Sequence, residues 1–151
     1  MANIRDFCTR KVVVAARDTT VAAAAQLMRR HHVGTIVVCD QANGSRRMPV
    51  GIVTDRDIVI EVVAPELRPD TITLDDIMVR QLRTVRETEG VLQALEIMRH
   101  KGLRRLPIVK EDGHLIGIVS TEDLLGVLAG ELSDLARIGA CSRSREAEMR
   151  R

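Results

Sequence analysis

The chain is almost without aromatic residues: Phe7 is the single one, and tryptophan and tyrosine are missing from all 151 positions. A core must therefore be built from Val, Ile, Leu, Met and Ala. The stacking platforms that hold single-stranded nucleic acid have no residues to form them. Cysteine is scarce too. Cys8, Cys39 and Cys141 lie far apart and form no CxxC pair, so neither a zinc knuckle nor a disulfide framework is indicated. Apolar runs are short, Val62-Val63-Ala64 among them, against the roughly 20 residues that span a bilayer. The first residues, with Asp6 and Arg10, carry no signal pattern. These absences lead us to expect a cytoplasmic protein without membrane contact. Charge of one sign is also lacking. Nine basic residues face seven acidic ones in 1–66, nine face ten in 67–130, and five face four in the tail. Twenty of the 23 basic residues are arginine, yet no segment has the basic excess of a nucleic-acid binder.

What is present is repetition. Gly51-Ile52-Val53-Thr54-Asp55-Arg56-Asp57-Ile58 returns as Gly117-Ile118-Val119-Ser120-Thr121-Glu122-Asp123-Leu124, a shift of 66 positions. Upstream the shift is 70, pairing Val21 with Val91, Ala24 with Ala94 and Met28 with Met98. The four extra residues of the first copy fall in the polar stretch Asp40–Ser45, where added loop length costs little. Such self-similarity sets the architecture before any local assignment.

Each unit reads alike. Thr19 or Thr20 caps a helix with Val21, Ala24, Ala25, Leu27 and Met28 at helical spacing. Strands follow over 35–39 and 49–53, joined by a turn with Asn43-Gly44, and a second helix starts near Asp55. The second unit gives helix 89–101, strands 105–109 and 115–119, and helix 121–130. Short strands precede the units near 12–15 and 82–85. The order β-α-β-β-α, twice, implies an α+β fold of two small sheets. We expect repeat 1 over 4–65, a linker over 66–73 with Pro69 inside it, and repeat 2 over 74–130. The tail 131–151 is expected to be helical or frayed: it carries Leu132, Leu135 and Ile138 at helical spacing and ends in a polar, solvated stretch from Ser142.

The chemistry gathers where the second strand of each unit meets a helix. A helix N-terminus leaves amide hydrogens unpaired and favours anions. There Thr54 can donate to a phosphate oxygen, and Asp57 can accept from two ribose hydroxyls, as acidic residues do in dinucleotide sites. Gly51 lets a base or backbone approach the strand. The competing explanation is local. Thr-x-x-Asp also makes a capping box, worth on the order of 1 kcal/mol and needing no ligand.

The two copies resemble tandem cystathionine-β-synthase (CBS) domains, the pair called a Bateman module, over roughly residues 4–130. The resemblance rests on Asp6-Phe7-Cys8 and Asp76-Ile77-Met78, on Arg105-Leu106-Pro107-Ile108-Val109, and on the two Gly-Ile-Val-(Thr/Ser)-x-x-Asp motifs. It implies repeats packed through their sheets, with two clefts related by a pseudo-twofold axis that take adenosine nucleotides. The first cleft would use Thr54, Asp57 and Ile52, faced by Met78, Gln81, Arg83, Leu103, Arg104 and Arg105. The second would use Ser120, Asp123 and Ile118, faced by Cys8, Lys11, Val13, Val33 and Gly34. Arg104-Arg105 precedes the Leu-Pro strand, where copy one has Gly34-Thr35, so the first cleft is expected to be better equipped for phosphate.

No catalytic domain is attached, so the resemblance implies a stand-alone regulatory module rather than an enzyme. No cofactor is required, and AMP, ADP or ATP is the expected regulatory ligand. A homodimer and a separate regulated protein are the expected macromolecular partners. The alternative is a ligand-independent scaffold with vestigial clefts. His31, His32, His100 and His114 lack metal-site spacing, and Cys8 has no neighbour to activate it.

Overall fold

In the computed structural model, which describes residues 3–150, both repeats follow one plan. The first runs β1 (Val14–Ala15), α1 (Val21–His31), β2 (Thr35–Asp40), β3 (Met48–Thr54) and α2 (Asp55–Ile58). The last of these passes into a wider π turn over Val59–Val63. A short helix, α3 (Leu74–Ile77), leads to β4 (Val85–Arg86), α4 (Val91–Lys101), β5 (Arg105–Val109), β6 (Leu115–Ser120) and α5 (Thr121–Met149). Each repeat forms a three-stranded sheet, β1-β2-β3 or β4-β5-β6, with the first pair parallel and the second antiparallel. The architecture is α+β.

Local chemistry explains the boundaries. Thr20 accepts from the Ala23 amide at 3.2 Å and starts α1. Both α1 and α4 end in a left-handed residue, His32 (φ 53°) in the first copy and Gly102 (φ 63°) in the second. Only the glycine avoids the Cβ penalty of that conformation. Strand β2 is apolar on both faces for a reason. Ile36 and Val38 pack in the core with Ala24 and Met28 of α1, whereas Val37 and Cys39 meet Leu115 of the other repeat. The sheets thus bury each other, and each fully buried Val or Ile contributes about 1.5–3 kcal/mol.

The segment leading into each repeat crosses to the other one. Ile4 is fully buried among Val85, Ala94, Leu106 and Leu124 of the second repeat. Thr9 exchanges backbone hydrogen bonds with Ile118 at 2.9 and 3.0 Å. Reciprocally, Leu74 and Met78 complete the core of the first repeat, and the Val79 amide donates to the Ile52 carbonyl at 3.0 Å. This reciprocity defines a pseudo-twofold axis between the repeats.

Of the two readings of the tail, helical or frayed, the structure has the helical one. The tail does not dissolve near Ser142 but continues α5 to Met149, leaving Leu125, Leu132, Leu135 and Ile138 each more than 60% exposed. Good helix formers (Leu, Ala, Arg, Glu) surround the glycines at 126, 130 and 139 and outweigh their penalty. Among the described residues no helix is long and apolar enough to cross a membrane.

Candidate functional site: two clefts at the strand–helix junctions

The Thr54 amide and hydroxyl both reach Asp57 Oδ2, at 2.7 and 2.8 Å, and the Asp57 amide returns to Thr54 Oγ1 at 3.2 Å. Ser120 and Asp123 repeat this at 2.8, 2.7 and 3.1 Å. Each junction is a closed capping box. A third box, Thr73 with Asp76, forms outside both clefts at 2.8 and 2.9 Å. There the Thr73 amide, and then its hydroxyl, hold the Asp76 carboxyl below the usual carboxylate range. Capping therefore accounts for the hydroxyl and one carboxylate oxygen. The other oxygen, Oδ1, of Asp57 and of Asp123 accepts no hydrogen bond among the described residues.

Around Asp57 lies a cleft of about 330 Å³. It gathers Ile52, Thr54, Leu103, Arg104 and Arg105, together with Thr35, Asp55, Arg56, Val79 and Gly102. Around Asp123 lies one of about 240 Å³. It gathers Lys11, Val13, Val33, Gly34, Ile118 and Ser120, together with Thr9, Val12, His32, Thr35 and Arg105. Pockets for small molecules run from roughly 300 to 1,000 Å³, so a nucleotide would sit partly in solvent in either.

Four expected residues lie elsewhere. Met78 is 7% exposed and lies in the core of the first repeat. It is packed onto Gly51, where a Cβ would come within 2.5 Å of its sulfur. Cys8 occupies the matching place over Gly117, where a Cβ would come within 2.7 Å of its sulfur, and donates to the Arg5 carbonyl. The glycines of the two motifs therefore make room for a sulfur side chain, not for a base. The cleft positions are the next residues along, Thr9 and Val79, because side chains alternate in extended chain. Arg83 lies on the flank of α4 with Gln93, Glu96 and His100. Gln81 is exposed and lines neither cleft.

The cationic groups also differ from the sequence picture. Arg104 is paired with Glu122 at 3.1 Å. Arg105 lines both clefts, so the Arg104-Arg105 pair is not a property of the first cleft alone. Copy one has Gly34 at the matching position, close to the Asp55 carboxylate. A Cβ there would sit 2.8 Å from Asp55 Oδ2, whose amide is tied to the Gly34 carbonyl at 2.9 Å. Copy two carries Thr121 in place of Asp55.

Motif spacing did not find His32 and Thr35, nor Thr9 and Val12 of the second cleft, nor Asp55, Arg56, Val79 and Gly102 of the first. His32 enters the second cleft because it takes the left-handed cap position. Thr35 is buried between the clefts. The cysteines are free. Burial pushes the Cys39 thiol up to about 11 and also raises that of Cys8, which opposes thiolate chemistry. Among the described residues no group of three or more His, Cys, Asp or Glu is placed to hold a metal ion.

Comparison with known proteins agrees with this architecture. An uncharacterized protein of Methanopyrus kandleri is 42% identical over 97 residues, which are 64% of this chain and 47% of that one. The chain thus spans about half of that relative. The crystal structure of hypoxic response protein I, with two coordinated zinc ions, superposes with a TM-score of 0.71 at 32% identity, covering 83% of this chain and 98% of the other. A CBS domain pair in complex with 5-methylthioadenosine and S-adenosyl-L-methionine superposes with a TM-score of 0.73 at 24% identity, covering 85% and 97%. The CBS domain family model matches residues 4–64 and again 74–130. With both repeats matched and two reciprocal sheets between them, the chain belongs to the CBS domain family as a tandem pair.

Proposed function

We propose that this protein is a regulatory module that binds adenosine nucleotides (AMP, ADP or ATP) in the clefts between its repeats. Binding alters repeat packing or dimer contacts. One observation carries the reading: each cleft presents a carboxylate, Asp57 or Asp123, with one oxygen fixed by a cap and the other left to accept. A pre-oriented carboxylate suits the paired hydroxyls of a ribose. Phosphate would lie toward Arg105, with Arg104 in the first cleft or Lys11 in the second. The CBS pair solved with two adenosine-containing compounds supports the choice of adenosine. The raised thiols and capped hydroxyls offer no activated nucleophile, which favours regulation over catalysis.

The test is mass spectrometry of small molecules released from purified protein, followed by thermal melting of the stripped protein with AMP, ADP, ATP and S-adenosylmethionine. A nucleotide at about 1,000 times its dissociation constant adds roughly 4 kcal/mol. No shift with any adenosine compound would sink the proposal.

A second reading, a ligand-independent homodimer that docks a separate regulated protein, is favoured by exposed apolar side chains. Val59, in the π turn that continues α2, and Leu125 of α5 stand at equivalent places of the two repeats, 55% and 65% exposed, and Val63 is 61% exposed. Such faces mark interaction surfaces. Light scattering separates the readings. A dimer whose mass and melting ignore nucleotide supports the scaffold, and Val59→Asp with Leu125→Asp should yield monomer.

A further inference from the structure

Thr35 and Arg105 open β2 and β5 at equivalent positions of the two repeats. In register they lie opposite Thr54 and Ser120, the capping residues of the two junctions. Both line both clefts, so they occupy the seam where the pseudo-twofold axis passes between them. Two features mark this seam as a ligand position. Thr35 is 8% exposed, and its buried Oγ1 has no hydrogen-bond partner among the described residues. Buried hydroxyls are rarely left so, because the lost hydration is not recovered. Arg105 makes no ion pair or side-chain hydrogen bond among the described residues, whereas Arg104 is held by Glu122 and Arg17 by Asp40 and Asp75. It therefore offers all five guanidinium donors.

We propose that Thr35 and Arg105 form one anion seat shared by the two clefts, so that the phosphates of two bound nucleotides compete for it. The inference rests on the nucleotide-binding proposal and adds its regulation: occupancy of one cleft weakens the other. The first phosphate takes the guanidinium fork and brings its own negative charge to the seam. The second meets fewer donors and a like charge. It is left with Lys11 in the Asp123 cleft, or, in the Asp57 cleft, with Arg56 and with an Arg104 that must first leave Glu122.

The test is calorimetric titration with AMP and, as the uncharged probe, adenosine. Asp57→Asn and Asp123→Asn each silence one cleft while keeping a capping oxygen. The second AMP bound by the unaltered protein should bind about tenfold or more weakly than AMP binds that same cleft when the other is silenced. Adenosine should show no such penalty. Arg105→Ala should weaken AMP about tenfold or more in both single-cleft variants and leave adenosine unchanged, with an unaltered melting curve because Arg105 is exposed and unpaired. Thr35→Val gives the same loss by an independent route. AMP binding that responds to Arg105→Ala in one cleft or in neither overturns the shared seat alone, as does a second AMP bound without penalty. Absence of both AMP and adenosine binding overturns the nucleotide proposal and the seat together.

Discussion

The sulfur of Met78 rests on the backbone of Gly51, so closely that a Cβ on the glycine would fall 2.5 Å from Sδ and 2.9 Å from Cγ. Met78 belongs to the segment that opens the second repeat, and Gly51 to β3 of the first. The glycine thus admits the side chain that locks one repeat to the other. Cys8 and Gly117 make the mirror contact: a Cβ on Gly117 would fall 2.7 Å from Cys8 Sγ and 3.2 Å from the Thr9 carbonyl oxygen.

Adding a methyl group at either place should overpack the junction. Gly51→Ala and Gly117→Ala are each expected to destabilise by about 1–3 kcal/mol in denaturant titration. Met78→Ala leaves a gap where the Gly51→Ala methyl needs space, so the double variant should lose less than the sum of the singles. Additive losses would show that the methyl group meets something other than Met78.

The crossed segments make each repeat depend on the other. Ile4 is counted in the first repeat by sequence, yet it is buried in the second. Ile4→Ala should cost about 2–5 kcal/mol. Hydrogen exchange should then show the lost protection in β4–β6 and α4 before it appears in β1–β3. Loss confined to the first repeat would contradict the crossing.

Arg17 ties the end of β2 to α3, reaching Asp40 at 2.8 Å and Asp75 at 3.3 Å. Its guanidinium holds the Asp40 carboxyl below the usual range, and Arg80, then Arg17, do the same for Asp75. Because the folded values are lower than the unfolded value of about 3.9, this stabilisation is complete above that pH. It is lost as pH falls through the lowered folded values. Melting temperature should stay level from pH 7 to 5 and drop below about pH 4, with a smaller drop in Arg17→Ala. Both carboxylates are exposed, so high salt should shrink the difference between the two proteins at neutral pH.

Thr35→Val removes the unpartnered buried hydroxyl and keeps the shape. Without ligand the variant should gain about 1 kcal/mol, or roughly 2–4 °C in melting temperature, while its affinity for AMP falls. A lower melting temperature would mean that the hydroxyl already has a partner, such as an ordered water.

Much of the fold was legible because repetition constrains two units at once. Leu106, Ile108 and Val119 mark the same core positions as Ile36, Val38 and Val53, and β5 spans Arg105–Val109 as its apolar run suggests. Crossing of the leading segments came only from the family resemblance, which set Cys8 against Ser120 and Met78 against Thr54; local sequence does not contain it, since Asp6-Phe7-Cys8 lies next to repeat 1 whichever sheet edge it joins. In the clefts, the residues of the helix-capping motifs were readable from local spacing. The opposing wall was read one residue early, at Cys8 and Met78 rather than Thr9 and Val79, because the alternation of side chains depends on the strand each segment pairs with. The place of Arg105 between the clefts is a property of the pseudo-twofold packing, which no single motif contains.

The most direct measurement is calorimetric titration of AMP into stripped protein carrying both Asp57→Asn and Asp123→Asn, beside the unaltered chain. Heat of binding in the unaltered protein and none in the folded double variant is the expected result, since the amide keeps one oxygen for the cap but replaces the free acceptor with a donor and removes the charge. Equal binding by the two proteins, or none by the unaltered chain, would contradict the assignment of the two clefts to adenosine nucleotides.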